Sequence, residues 1–353
     1  MTSLPTGFPI KFTTDALYGG ENNTNATRCK AELSEWHSTV LPVYILVISV
    51  LGIVLNAFVL MVFCLHKKAC NVPEIYLSNL AAADLILMIC LPFWAKYAAN
   101  KFSWPFDLPL CRLVTLSINM NAYCSIYFLV LISVDRCLAL VHPLSHDRLR
   151  RPKYAKMGCV LVWGFGFLLG VPTLVYRDVK EQSKSKVCFL NYPNSTARIV
   201  SNGMLMTFGF IIPISIISYC TFKIIQALND RPMEAVSTEK TERKATTLVL
   251  AVLIAFLICW LPFHLLKIPK ALQVAKVLRG CGAIAIINTC GHVFMYLAFF
   301  NSVLNPILYV IVGENFRKKI RELCKQWQNN RSLTRNTYYT RSHLSRSNTS
   351  RHS

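Results

Sequence analysis

Seven long apolar runs leave this chain little choice of fold: Val40–Cys64, Ile75–Ala95, Leu113–Val134, Met157–Tyr176, Ile199–Phe222, Ala245–Leu266 and Ile284–Ile311. Each matches the ~20 helical residues that cross a ~30 Å hydrocarbon core. Among them, a single Asp, Glu, Lys or Arg occurs, Asp84 in the second. A strand with an open edge leaves backbone groups unpaired in lipid, whereas a helix pairs them internally. The expectation is an all-α membrane protein, a seven-transmembrane helix bundle over residues 39–312. Composition agrees, with 54% apolar and only 16% charged residues, against about 25% charged in soluble chains.

The net charge of +21 does not point to nucleic acid, because no soluble basic domain exists to carry it. Basic residues beside apolar spans face lipid headgroups instead. The larger share of the 38 Lys and Arg residues falls on the cytoplasmic side if the N-terminus lies outside. That orientation also places the acceptor sequons at Asn22, Asn25 and Asn194 outside, where they can be glycosylated. The expected location is the plasma membrane, crossed many times, with the first span directing insertion. Most of the 14 cysteines sit within spans as small apolar residues. Cys29, Cys111, Cys188 and Cys281 fall outside and permit three pairings; a Cys29–Cys281 link would tie the N-terminal segment to the last outer loop.

Residues 1–38 read as a flexible outer tail and 325–353, rich in Ser, Thr, Asn and Arg, as a disordered cytoplasmic one. In the latter, Ser342, Ser345, Ser347 and Ser350 are candidate phosphorylation sites. Residues 313–324 place Phe316, Ile320 and Leu323 at helical spacing among basic residues, which predicts a short amphipathic helix on the inner leaflet. Cys324 at its end is a candidate for palmitoylation.

Polar groups inside spans are costly and mark function. Asp84 shares its depth with Asn56, Asn121, Ser125, Asn301, Ser302 and Asn305. That oxygen-rich set suits a sodium ion, or a proton and waters; a polar packing network is the alternative. No other cofactor is expected. Pro92, Pro172, Pro213, Pro262 and Pro306 each remove a helical hydrogen bond and create a pivot. At the inner end of the third span Asp135 can hold Arg136, and Glu242 at the start of the sixth can pair with it.

Together these residues resemble the rhodopsin-like (class A) receptors: Gly52 and Asn56 in the first span, Leu80 to Asp84 in the second, Asp135-Arg136-Cys137 in the third, Trp163 in the fourth, Cys259-Trp260-Leu261-Pro262 in the sixth, Asn305-Pro306-Ile307-Leu308-Tyr309 in the seventh. The resemblance implies a receptor that triggers nucleotide exchange in a heterotrimeric G protein, then meets receptor kinases and arrestin. It implies a sodium pocket of Asp84, Asn121, Ser125, Asn301 and Asn305, and a switch at Trp260 connected through Pro213, Ile126 and Phe256. It also implies that Arg136 enters the G protein, that Tyr309 belongs to the switch, and that Cys111 bonds Cys188. Cys137 and Thr221 depart from the usual tyrosines, Ile118 argues against an amine ligand and Phe299 against retinal.

The closer likeness is to the bradykinin (kinin) receptors, nearer the second subtype, through Val62 to Lys67, Glu74 to Leu87, Leu91 to Ala95, Thr241 to Thr246 and Asn301 to Pro306. It implies a peptide ligand and signalling mainly through Gq to phospholipase C and calcium, with Gi as a second route. Candidate ligand contacts by depth are Trp94, Asn119, Tyr123, Arg177, Asn202, Phe263, His264, Lys267, His292 and Tyr296. Lys270 and Asn288 stand where kinin receptors hold acids for the arginine ends of the peptide. The ligand is then a kinin with different contacts, a kinin with altered ends, or another, acidic, peptide. A transporter or channel would need a continuous polar path, and an intramembrane enzyme a catalytic or metal-binding spacing; the sequence displays neither.

Overall fold

The computed structural model describes residues 36–66, 69–141, 151–182, 185–229, 237–269, 281–329 and 331. Helices follow the apolar runs and overshoot them: α1 (Trp36–Leu65), α2 (Val72–Ala99), α3 (Leu108–Val141) and α4 (Pro152–Tyr176). Next, α5 runs through Ser195–Met206, a π-turn at Thr207–Ile211, and Ile212–Asn229. Then come α6 (Ser237–Leu265), α7 (Cys281–Ile311) and α8 over 314–329. Helices α1 to α7 are each long and apolar enough to cross a membrane. Between α4 and α5 lies an antiparallel hairpin, β1 (Arg177–Gln182) and β2 (Ser185–Leu190). The bundle therefore has a hairpin end and an α8 end.

Large apolar side chains face outward as well as inward. Val43, Val47 and Val50 on α1 and Val160, Leu161 and Leu168 on α4 are exposed, as lipid-facing residues are in a chain whose solvent is hydrocarbon. Close helix approach is set by small residues. A Cβ on Gly52 would lie 2.5 Å from Met88 Cγ and Sδ, so any larger residue there would push Met88 aside where α1 and α2 meet. Ser49 Oγ then donates to the Met88 carbonyl at 2.6 Å.

Local chemistry fixes the ends of α2. Asn71 caps its first turn, accepting from Glu74 N–H at 3.0 Å while Glu74 Oε2 accepts from Asn71 N–H at 2.9 Å, a reciprocal capping box. At the other end Lys101 and Phe102 adopt φ of 53° and 58°, a left-handed conformation that non-glycine residues rarely take. Phe102 is held there by its own N–H to the Tyr97 carbonyl, 2.9 Å, and by its ring against Tyr97 and His292.

The π-turn in α5 has a specific repair. Ile212 N–H reaches back to the Thr207 carbonyl. The next bond in that register would run from residue 213 to Phe208, but Pro213 has no N–H to give. Tyr127 of α3 donates its hydroxyl to the Phe208 carbonyl at 2.8 Å, so a break in one helix becomes a tie between two.

Candidate functional site

At the hairpin end a cleft opens between α3, α4, α5, α6 and α7. Its floor is apolar and aromatic: Phe256, Trp260, Phe263 and Phe299. Trp260 stacks on Phe256 at 5.8 Å and meets Phe263 edge-on at 6.0 Å. His264 stacks on Phe210 of the π-turn at 4.5 Å, joining α6 to α5. The walls carry polar groups. Asn119 donates to Thr173, and Tyr192 donates to Ser201 at 3.0 Å.

The charge in the cleft is positive. Arg177 and Lys267 line it, and none of the lining residues described is Asp or Glu. Lys267 Nζ lies 4.9 Å from the Phe263 ring centre, a cation–π distance. Arg177 is buried and donates to Thr115 at 3.1 Å, and its carbonyl accepts from Arg112 at 3.0 Å. Burial pulls its guanidinium down to about 10, opposed by Tyr97 and Tyr192, so it stays charged at neutral pH. The Cys111–Cys188 disulfide bolts β2 to the start of α3 across a Cα separation of 6.0 Å. Trp104 N–H adds a bond to the Lys186 carbonyl at 2.7 Å. Together they hold the hairpin over the cleft.

Of the candidate ligand contacts, the structure brings Asn119, Tyr123, Arg177, Asn202, Phe263, His264 and Lys267 together around this cleft. Trp94, His292 and Tyr296 stand apart from its lining. They join an aromatic cluster between α1, α2 and α7, where Trp94 meets Tyr97 at 5.2 Å, His292 stacks on Tyr296 at 6.3 Å and Tyr44 meets Tyr296 at 6.4 Å. Leu190 and Tyr192, which also line the cleft, come from the hairpin and the link that follows it. Nothing in the apolar periodicity of the spans signals them.

Below the cleft Asp84 is fully buried. It accepts from Asn121 at 2.8 Å, Ser302 at 2.7 Å and Asn305 at 2.9 Å. Ser125 faces the carboxylate without closing a hydrogen bond of normal geometry. Ser125 Oγ, Asn301 Oδ1 and Asn305 Oδ1 are buried with no hydrogen-bond partner. A carboxylate beside the buried, unsatisfied oxygens of Ser125 and Asn305 is a donor set that fits a small hard cation. Asn56, by contrast, spends its amide on packing, donating to the Gly52 and Ser302 carbonyls at 2.9 Å each. Ile126, Phe256, Trp260 and Tyr309 share one buried core, and Pro213 is buried on α5.

At the α8 end, Arg136 is buried and pairs with its neighbour Asp135, 2.6 Å from Nη2 and 3.1 Å from Nε to Oδ2. Glu242 lies on α6, and its side chain falls outside the described residues. Tyr309 packs against Phe316 of α8 at 6.2 Å, and Phe316 against Phe58 and Phe63 of α1. An ion pair from Lys319 to Glu74 at 2.8 Å and a hydrogen-bond contact between His66 and Glu322 at 2.9 Å pin α8. Pro306, in the same motif as Tyr309, is buried in α7, and Cys324 is exposed. The helix runs on to 329, past the expected end at 324. Asn194 is exposed and caps α5, its Oδ1 accepting from Ala197 N–H at 2.8 Å. The expectations for Asn22, Asn25, Cys29 and Ser342 to Ser350 lie outside the described residues, as does the side chain of Cys281.

Residues 55–309 match the family of 7 transmembrane receptors (rhodopsin family). The chain is 45% identical over 288 residues to the human B2 bradykinin receptor, covering 80% of this chain and 74% of that one. It is 45% identical over 297 residues to the guinea pig (Cavia porcellus) B2 bradykinin receptor, 83% and 80% covered. To the human B1 bradykinin receptor it is 39% identical over 313 residues, 86% and 87% covered. The chain thus belongs to the rhodopsin family of seven-transmembrane, G-protein-coupled receptors, proteins that signal by changing shape rather than by catalysing a reaction, and within it resembles the bradykinin receptors.

Proposed function

We propose that this receptor binds a peptide of the kinin type in the hairpin-end cleft. The observation that carries the reading is the coincidence of that deep, aromatic-floored cleft with close likeness to two bradykinin receptor subtypes. The hairpin end faces outside with the N-terminus, and the α8 end, basic at Arg317, Lys318, Arg321 and Lys325, faces the anionic inner leaflet. Peptide contact with Trp260 shifts a pre-existing equilibrium through Phe256 and Ile126 toward a state in which Arg136 leaves Asp135 and enters the G protein. Gq and calcium release are the main output, with Gi second, and receptor kinases and arrestin end the signal. Bound sodium at Asp84, with Asn121, Ser125, Asn301 and Asn305, holds the resting state. Palmitate on Cys324 and glycans on Asn22, Asn25 and Asn194 complete the picture, as does a Cys29–Cys281 bond.

A second reading rests on the cleft's charge. Arg177 and Lys267 without an acid among the described lining suit a peptide that presents a carboxylate. Calcium release in transfected cells separates the two. Bradykinin elicits it under the first reading, and Lys270→Glu raises the potency of arginine-bearing kinins. Silence toward every kinin at normal surface expression removes the first reading and leaves the second.

A further inference from the structure

Two free thiols meet at the α8 end, across the interface of α3 and α5. Cys137 follows Arg136 directly on α3, and Cys220 lies on α5. Both are buried in one small cluster with Leu140 and Ile224. Both also line one groove, with Val134, Leu138, Val141, Ile216, Tyr219 and Lys223. Neither sulfur is in a disulfide. Packing alone does not call for two adjacent thiols from different helices: any small apolar pair would fill this space. What two facing thiols add is the capacity to form a bond.

We propose that Cys137 and Cys220 are an oxidant-sensitive pair that closes to a disulfide under hydroperoxide and thereby holds α5 against α3 beside Arg136, lowering G-protein activation. The chemistry balances with hydrogen peroxide as the oxidant. The sulfur of one cysteine, as thiolate, attacks a peroxide oxygen, the O–O bond breaks, and sulfenic acid and one water result. The second thiolate displaces the hydroxyl from that sulfur, forming S–S and a second water. Two electrons pass from the two sulfurs to peroxide, and both thiol protons end in water. The apolar walls of the groove make the reaction slow, so sustained oxidant is needed. The bond would hold α5 against α3 next to Arg136, the group that leaves Asp135 in the proposed switch, and on that reading closure acts on signalling.

The test uses the full-length receptor in membranes, exposed to hydrogen peroxide, blocked with a thiol alkylator, digested without reductant and read by mass spectrometry. The same membranes are assayed for basal nucleotide exchange on added G protein, each protein compared with its own untreated sample. The expected result is a cross-linked peptide pair containing Cys137 and Cys220, and an exchange rate that falls severalfold in the wild type but not in Cys137→Ser or Cys220→Ser. Detection of the Cys111–Cys188 pair in the same digest shows that disulfides survive the procedure. Absence of the Cys137–Cys220 pair overturns the proposal. So does an equal fall in either serine variant, or a cross-link that leaves exchange unchanged.

Discussion

Two neighbouring regions at the hairpin end have similar composition and opposite character. The aromatic cluster of Trp94, Tyr97, Trp104, Tyr296 and Phe102 is filled, ring against ring, with Trp94, Tyr97 and Trp104 almost wholly buried. The cleft beside it, reached across Phe299, is hollow and lined with polar and cationic groups. Depth along the helix is shared by both, so depth does not determine which aromatic meets a ligand. Rotation about the helix axis does: α3, α5 and α6 turn their faces to the hollow, whereas α2 and one side of α7 close on α1.

The sharpest separation comes from Trp94→Ala, which deletes a large buried ring and should destabilise the receptor by about 4 kcal/mol. A fall in melting temperature is expected, with unchanged peptide affinity per folded receptor. A large affinity loss in the surviving fraction would merge the two regions. Lys319→Met gives a reference at the far end. It leaves Glu74 buried without its cation and should cost roughly 3 kcal/mol, again with affinity untouched. Lys267→Ala, inside the cleft, should act the other way round. Melting stays near the wild type, and bradykinin, with arginine at both ends, binds up to about tenfold tighter, or ~1.4 kcal/mol, once the repelling charge is gone. Weaker binding would favour the carboxylate-bearing peptide. The smallest effect belongs to Tyr127→Phe, which strands the Phe208 carbonyl left open by Pro213 at a cost of about 1 kcal/mol. Thermal unfolding of the detergent-solubilised receptor measures it, and no change would mean that the carbonyl finds another donor.

The spans were legible because lipid demands about 20 apolar residues in a row, a signal that needs no tertiary information. The Asp84 layer was legible for the complementary reason, since a carboxylate and amides inside those runs require partners. Asn121, Ser302 and Asn305 supply them. The hairpin Arg177–Leu190 carries no signal in strand periodicity; the Cys111–Cys188 bond and Trp104 hold it in place. The left-handed Lys101 and Phe102 carry no glycine to announce them. The stripe Phe316, Ile320 and Leu323 predicts α8 only to 324, whereas Trp327 continues it one turn on and no Pro or Gly intervenes to break the helix. The separation of Trp94, His292 and Tyr296 from the cleft needed helix rotation, which a single sequence does not encode.

The hollow region is the proposed peptide site. Saturation binding of labelled bradykinin to membranes carrying the wild type or Asn119→Trp tests this most directly, because an indole at Asn119 occupies the cleft wall next to Thr173. Saturable binding to the wild type, lost in the variant at equal surface expression, is the predicted result. Unchanged affinity in the variant, or no saturable binding to the wild type, would contradict it.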